Sequence, residues 1–229
     1  IPVRVHPLFW LIALLLGSSG DLLTIPVWIV VVFISILIHE LGHALAFRFY
    51  GIRSQIVLHA MGGLTIPEST PWGTGWANIS LNPRQQIIIS LAGPFAGFSF
   101  AVLIMAITAL AGGSLLTSNL FGFIPLPLTS LMPFGGRILS IFMTMLLFVN
   151  VFWGIFNLLP VYPLDGGQVT RNALIQYDPR DGVRKSLWVS VIAGAVIALV
   201  GGFLMDSVYI ALLFGVLAFQ SYQSLQGRY

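Results

Sequence analysis

The chain has 229 residues, of which 57% are hydrophobic and only 7% are charged, and its mean hydropathy is +0.96. Because a soluble domain carries about 25% charged residues, this composition excludes an ordinary soluble protein and predicts an all-α polytopic membrane protein. The net charge of +3 does not indicate a nucleic-acid partner, since the basic residues do not cluster in a soluble segment.

Apolar stretches along the chain predict about six transmembrane helices, because one span needs about 20 apolar residues. The first, at residues 7–16, is short and reaches span length only with its flanks. The other five are predicted at residues 25–50, 86–111, 138–159, 188–204 and 208–222. No polar tract is long enough for a second folded unit. We therefore expect a single transmembrane domain over residues 1–229, with its functional core at about 25–167 and no separate soluble domain.

Three connecting segments carry further signals. Residues 52–66 combine β-branched and apolar residues with a Gly62-Gly63 turn, which predicts a small membrane-associated β-hairpin between the second and third spans. Residues 71–76 hold two tryptophans, which suit the lipid headgroup zone. Residues 112–136 contain three prolines and predict an irregular connection.

The basic residues predict the orientation, since lysine and arginine collect on the cytoplasmic side of a membrane. With six spans, nine of the ten basic residues fall on one face and only Arg137 falls on the other. The nine are Arg4, Arg48, Arg53, Arg84, Arg171, Arg180, Arg184, Lys185 and Arg228. We therefore expect a multi-pass membrane protein with a cytoplasmic N-terminus.

Residues 38–44 read Ile-His-Glu-Leu-Gly-His-Ala and contain the pattern H-E-x-x-H. On a helix, His39 and His43 share one face about one turn apart, so their imidazoles can grip a single metal ion. Glu40 follows the first ligand directly, which puts its carboxylate beside the metal, where it can take a proton from a bound water. The motif lies late in a span that runs toward the cytoplasm, so we expect the site nearer that side.

The surroundings of this motif strengthen its interpretation as a functional site. Residues 25–47 are otherwise almost wholly apolar, and ionisable side chains in such a run are costly unless they pair with something. The alternative is a pair of structural core histidines with a nearby acid. We favour the metal site, because an ionisable group at membrane depth marks a functional site by default.

A metal site in this chain must be built from histidine and carboxylate side chains, because cysteine is absent. A catalytic zinc site needs three protein ligands and an open position for water. The candidates for the third ligand are His6, His59, Glu68 and Asp165. Asp165 is favoured, because it follows the fourth span at about the depth of His43, in a proline- and glycine-rich run that can line a cavity. An aspartate that merely ends a helix at the membrane surface is the alternative interpretation.

Two segments resemble the signature segments of the site-2 protease family, the intramembrane zinc metalloproteases of peptidase family M50. They are His-Glu-Leu-Gly-His at residues 39–43, and Asn157-Leu-Leu-Pro followed by Leu-Asp165-Gly. The resemblance extends to the His-Pro-Leu-Phe-Trp opening, the Gly62-Gly63 hairpin and the Ala-Gly-Pro segment at residues 92–94. It is closest to the bacterial branch that processes sporulation factors. One departure is Gly97, where many members carry asparagine.

The resemblance implies a zinc metalloendopeptidase that cuts transmembrane protein substrates in the lipid bilayer, with one Zn²⁺ on His39, His43 and Asp165. It implies Glu40 as the base and Asn157 as an amide that polarises the reacting carbonyl. A substrate helix must be unwound before its peptide bonds can be attacked, and the hairpin of residues 52–66 is a candidate edge for the extended substrate.

Two other functions are kept as alternatives. A non-enzymatic transporter could bind metal through the same ligands, but transport wants polar groups along a path through several spans, and few are available. An inactive protease homologue is the other, and the intact His39, Glu40 and Asp165 argue against it. Formation of homo-oligomers is left open. His59 is interpreted as a polar hairpin residue, with a gating contact over the metal as the alternative.

Overall fold

The computed structural model describes residues 1–17, 24–60, 62–68, 81–120 and 124–227. Met61 in the hairpin turn and the tryptophan segment 71–76 lie outside the described residues. Within these ranges the chain forms helices and strands in the following order. They are β1 (Val3–Val5), α1 (Pro7–Gly17), α2 (Thr24–Phe49), β2 (Ser54–His59), β3 (Gly62–Pro67), α3 (Pro83–Leu110), β4 (Ser114–Leu120), β5 (Ile124–Leu131), α4 (Gly136–Asn157), α5 (Asp165–Tyr177), α6 (Gly182–Phe203) and α7 (Val208–Leu225).

Five described helices, namely α2, α3, α4, α6 and α7, are long and apolar enough to cross a membrane. The prediction of a largely helical membrane protein is confirmed, although the count of about six spans is one more than the described part of the chain contains. The difference is α1, which has 11 residues. At 1.5 Å per residue it is about 16 Å long, roughly half the thickness of the hydrocarbon core.

The chain divides into two compact units. Unit 1 comprises Ile1–Gly75 and Ala92–Ile155, and unit 2 comprises Trp76–Leu91 and Phe156–Tyr229. Two of the boundaries between these segments lie in described residues. One falls within α3 and the other within α4, so each of these helices contributes residues to both units. The expectation of a single domain stays a prediction.

A three-stranded sheet in unit 1 contains the predicted hairpin, with the strand order β1-β2-β3. β2 and β3 pair antiparallel, and β1 pairs with β2 in parallel, with Val3 opposite Ile56 and Val5 opposite Leu58. Ile56 and Leu58 are fully buried in a core shared with Ile36 of α2. The sheet therefore packs on the helix that carries the H-E-x-x-H motif.

The outer edge of β3 is open among the described residues. The backbone N–H of Glu68 donates to the carbonyl of Arg53 at 2.9 Å, so this pair is hydrogen-bonded. Hydrogen-bonded pairs alternate along an antiparallel ladder. The backbone N–H and C=O groups of Gly63 and Thr65, an odd number of residues from Glu68, therefore point to the open edge, and those of Leu64 point to β2.

The first helix returns along α2. The backbone N–H of His6 donates to the carbonyl of Leu58 at 2.8 Å, and the indole Nε1–H of Trp28, early in α2, donates to the carbonyl of Ala13 at 3.1 Å. α1 thus runs antiparallel to α2. The N-terminal residues consequently lie beside the C-terminal half of α2, since Val3 is opposite Ile56, and Ile56 is opposite Thr65, which contacts Glu40.

The predicted irregular connection at residues 112–136 is instead a second hairpin in unit 1, formed by β4 and β5. Its register shifts between Leu116 and Ser118. A two-stranded sheet consists only of edges, which tolerate proline. Hydroxyl groups tie the hairpin to its flanking helices, since the Ser130 hydroxyl lies 2.8 Å from that of Thr108, and the Ser130 N–H donates to Thr144 Oγ1 at 3.0 Å.

Unit 2 contains α6 and α7, which pack together around Phe214, and the amphipathic helix α5, which the sequence analysis did not identify. The junction from α5 to α6 turns at Asp178, whose carboxylate accepts from Lys185 Nζ at 2.6 Å and from the backbone N–H of Arg180 and Asp181 at 3.2 Å each. The hydrogen bond from Lys185 holds the pKa of Asp178 below its usual value.

Candidate metal centre

The H-E-x-x-H motif lies on the buried face of α2. His39, Glu40 and His43 are 3%, 5% and 8% exposed, and Nε2 of His39 lies 3.2 Å from Nε2 of His43. Two nitrogen ligands bound at 2.0–2.1 Å in a tetrahedron are about 3.3 Å apart. The two imidazoles are therefore spaced as one tetrahedral zinc ion requires.

Gly93 of α3 leaves room in front of both imidazoles. A Cβ atom at this position would contact Nε2 of His43 and would lie 2.8 Å from Nε2 of His39. Both approaches are closer than a carbon atom tolerates without movement of its neighbour. The absence of a side chain at Gly93 thus keeps open the space that a metal ion on these nitrogens needs.

Glu40 is held by β3. Its Oε2 accepts a hydrogen bond from Thr65 Oγ1 at 2.7 Å, and the same hydroxyl lies 3.0 Å from the carbonyl oxygen of Glu40. A Cβ atom at Gly63 would lie only 2.6 Å from Cδ and Oε1 of Glu40. The strand therefore contacts the carboxylate in two ways. Thr65 donates a hydroxyl, and Gly63 packs closely because it has no side chain.

The polar face of α2 continues one turn before His39. Ser35 is buried there and accepts a hydrogen bond from Asn150 Nδ2 at 2.9 Å, while Nδ2 also donates to the carbonyl of Leu146 at 2.8 Å. Asn150 thereby links α4 to α2 beneath the histidine pair.

Close contact between α2 and α3 depends on Gly42. A Cβ atom there would lie 2.8 Å from Cβ of Ala96 and 2.9 Å from the carbonyl carbon of Ala92. Small residues at such positions let the backbones of membrane helices approach one another. This approach brings Gly93 to the histidines.

Asp165 and Asn157 belong to unit 2. Asp165 is half-buried and is the first residue of α5, so it begins a helix rather than ending the fourth span. The backbone of Gly166 packs directly against Leu158 and Leu159, where a Cβ atom would lie 2.5 Å from the Leu159 carbonyl oxygen. Asn157 is the last residue of α4 and is 9% exposed.

The other candidates for the third ligand have different surroundings. His6 is exposed, and its Nδ1 accepts from the backbone N–H of Leu8 at the start of α1. His59 is the last residue of β2, is half-buried and pairs with Gly62. Glu68 is exposed beyond the end of β3.

Sequence reasoning missed the roles of three residues in this centre. Thr65 carries no signal of its own, because nothing local indicates that its hydroxyl meets a residue 25 positions earlier. Gly63 and Gly93 are visible as glycines in the sequence, but their partners are not.

The space at Gly93 generates a prediction for metal binding. We expect Gly93→Ala to lower zinc affinity roughly tenfold or more, as disturbance of the groups around a metal site commonly does. The measurement is zinc bound per protein in a titration of the purified, detergent-solubilised chain.

Gly97→Ala is the matched control on the same helix, because its Cβ would lie at ordinary contact distances of 3.5 and 3.6 Å from Asn150. It should retain the zinc affinity of the parent. Equal zinc affinity in the two variants would contradict the role of Gly93.

The chain is similar to a family model and to several curated proteins. The sequence model of peptidase family M50 matches residues 27–201, more than half of the chain. The zinc metalloprotease MJ0392 of Methanocaldococcus jannaschii is 26% identical over 222 residues, covering 95% of this chain and 52% of that protein. The sll0528 protein of Synechocystis sp. is 30% identical over 194 residues, covering 77% of this chain and 42% of that protein. The chain thus spans about half the length of the curated relatives it matches.

The fold also matches a solved structure. The site-2 protease from Methanocaldococcus jannaschii superposes with a TM-score of 0.56 at 23% identity, covering 97% of this chain and 90% of that chain. The nearer resemblance to the sporulation-factor branch stays a prediction. On the match over residues 27–201, the chain belongs to peptidase family M50.

Proposed function

We propose that this chain is a zinc metalloendopeptidase of the site-2 protease type, which hydrolyses peptide bonds within or near the transmembrane segments of membrane proteins. The observation that carries the proposal is the buried carboxylate of Glu40, held by Thr65 next to His39 on the same helix. A site that only stores or transports metal has no use for a carboxylate oriented in this way.

One zinc ion is proposed to be held by His39, His43 and Asp165, the ligand set implied by the two segments that resemble the family signatures. Two imidazoles and a carboxylate are a donor set that zinc accepts, and the 3.2 Å between the imidazole nitrogens suits it. When bound, zinc lowers the pKa of a water ligand toward about 7 and polarises a carbonyl.

The side chains of the chain itself then have distinct roles. Glu40 takes a proton from the attacking water and returns it to the leaving amine. Asn157 is proposed to donate its amide N–H to the oxygen of the scissile carbonyl, where negative charge develops. Burial of the motif excludes bulk water, which strengthens these electrostatic interactions.

The substrate is proposed to pair as an extended strand with the open edge of β3. An unwound segment exposes backbone N–H and C=O groups, and in an apolar environment these groups must find partners. Gly63 and Thr65 offer such groups at this edge, on the strand that contacts Glu40. Pairing at this edge therefore brings peptide bonds toward the base.

The chain is proposed to lie in a bacterial or archaeal inner membrane, with its N-terminus in the cytoplasm and the metal centre nearer that side. The basic residues support this orientation. The pairing of β1 with β2 supports it as well, because it brings Arg4 opposite Val57, beside the half of α2 that precedes Arg48.

The role of Glu40 is tested by Glu40→Gln, which keeps the shape of the side chain and removes the base. We expect cleavage of a single-span reporter in reconstituted membranes to fall by about 10²–10⁴-fold. Zinc content should stay at the level of the parent, since Glu40 is not a ligand.

Two outcomes would contradict the protease function. If the parent and Glu40→Gln cut a panel of reporters equally, or if neither cuts any, the protease proposal fails. Zinc uptake into sealed vesicles by both proteins would then favour the transporter.

The proposed substrate edge is tested by a charge on β3. Leu64 is 49% exposed, and its side chain lies on the opposite face of the strand from Thr65. We expect Leu64→Lys to lower reporter cleavage at least several-fold with zinc content unchanged, because lysine on an edge strand blocks pairing. Proline is unsuitable at this position, because the backbone N–H of Leu64 points to β2. Its loss would disrupt the hairpin itself.

Leu116→Lys is the matched control, because Leu116 lies in the other hairpin and is 48% exposed. Its cleavage rate should match that of the parent. Equal losses in the two variants would show a general effect of charge and would count against the substrate edge.

Orientation is tested with single cysteines, since the chain contains none. Tyr177 at the end of α5 and Leu110 at the end of α3 are 86% and 89% exposed. A membrane-impermeant maleimide should label Leu110→Cys in intact cells, and should label Tyr177→Cys only after the membrane is opened. The reverse pattern would overturn the proposed orientation.

A further inference from the structure

Resting on the proposed function, we propose that Thr65 is a positioning residue, which fixes the carboxylate of Glu40 for proton transfer and joins the base to the strand that receives the substrate. A direct contact supports this proposal, since Thr65 Oγ1 donates to Oε2 of Glu40 at 2.7 Å.

The alternation of β3 makes this contact possible. Gly63 and Thr65 are two residues apart, so their side-chain positions share one face of the strand. Both positions meet Glu40, the first with no side chain and the second with a hydroxyl. Their strand partners Leu58 and Ile56 are fully buried on the same face. The face of β3 that meets α2 is therefore fitted to a carboxylate.

The contact also distinguishes the two oxygens of the carboxylate. Oε2 accepts the hydroxyl of Thr65, while Oε1 lies in the space beside Gly63. Thr65 thus leaves Oε1 as the oxygen that exchanges protons. The O–H bond of the water breaks as its proton moves to Oε1, while the water oxygen bonds to the carbonyl carbon and the C=O π pair moves to the carbonyl oxygen. That pair re-forms C=O as the C–N bond breaks, and the same proton passes from Oε1 to the amine nitrogen.

The burial of Glu40 explains why one hydroxyl matters. The side chain is 5% exposed, and valine at position 65 would fill the space of threonine, so no bulk water takes the place of a lost donor on that side. A buried carboxylate without that donor loses a charge-assisted hydrogen bond and gains rotational freedom. Misplacement of a catalytic group by about 1 Å can lower a rate by 10²-fold. Thr65 therefore acts on the chemical step rather than on zinc binding.

The backbone of Thr65 connects the base to the proposed substrate edge. Its N–H and C=O point to the open edge of β3, where the extended substrate is proposed to pair. One residue consequently contacts the base through its side chain and the substrate through its backbone. Replacing the side chain alone should separate the two effects.

The experiment compares Thr65→Val with Thr65→Ser in reporter cleavage, at equal zinc content. Valine keeps the shape of threonine and removes the hydroxyl, so kcat should fall roughly tenfold to a hundredfold, as expected for a hydrogen bond to a charged group. KM should stay near the value of the parent, because the backbone edge is unchanged. Serine restores the hydroxyl and should recover most of kcat.

Three outcomes would overturn the role of Thr65 while the proposed function stands. The first is that the parent cuts the reporter and Thr65→Val cuts it at the same rate. The second is that Thr65→Val changes only KM. The third is that Thr65→Ser is as slow as Thr65→Val. A parent that cuts no reporter would instead overturn the proposed function and, with it, the catalytic role of Thr65.

A second measurement tests the contact without relying on activity. We expect Thr65→Val to lower the Tm of the parent more than it lowers the Tm of Glu40→Ala, because only the parent has a buried carboxylate that loses its donor. Equal shifts in the two backgrounds would overturn the coupling between Thr65 and Glu40.

Discussion

The burial of three ionisable side chains in one apolar helix is the constraint on which the rest of this structure depends. His39, Glu40 and His43 lie on the inner face of α2, almost fully removed from solvent. Groups of this kind are stable in an apolar interior only when donors, opposite charges or metal ions replace water. The structure meets part of this requirement through Thr65, whose hydroxyl bonds to Glu40. A metal ion on the imidazoles is proposed to meet the rest.

Three glycines, which have no side chain, shape this centre as much as the polar residues do. Gly42 lets α3 approach α2, Gly93 clears the space before the imidazoles, and Gly63 clears the space beside the carboxylate. At each of these positions a single Cβ atom would force its neighbours to move. The geometry of the motif is therefore set jointly by α2, by β3 and by the part of α3 that belongs to unit 1.

Much of the fold could be predicted, because spans are local features of hydropathy. All five described spanning helices overlap the predicted regions, although α6 begins six residues before the predicted start at residue 188. The errors arose where a segment is held by contacts to other parts of the chain. β1 has three residues and pairs with a strand about 50 positions later, and the β4–β5 hairpin is held by hydroxyl contacts to α3 and α4. Neither interaction leaves a periodic signal.

The sequence by itself determined that the chain is a membrane protein and that His39, Glu40 and His43 share a helix face, because composition and helical periodicity are local properties. The same residues carry the resemblance to peptidase family M50, which the family match confirms. Only the tertiary structure decided that Thr65 donates to Glu40 and that Gly93 faces the imidazoles. These contacts join residues 25 or more positions apart, and such contacts exist only once the helices and strands have packed.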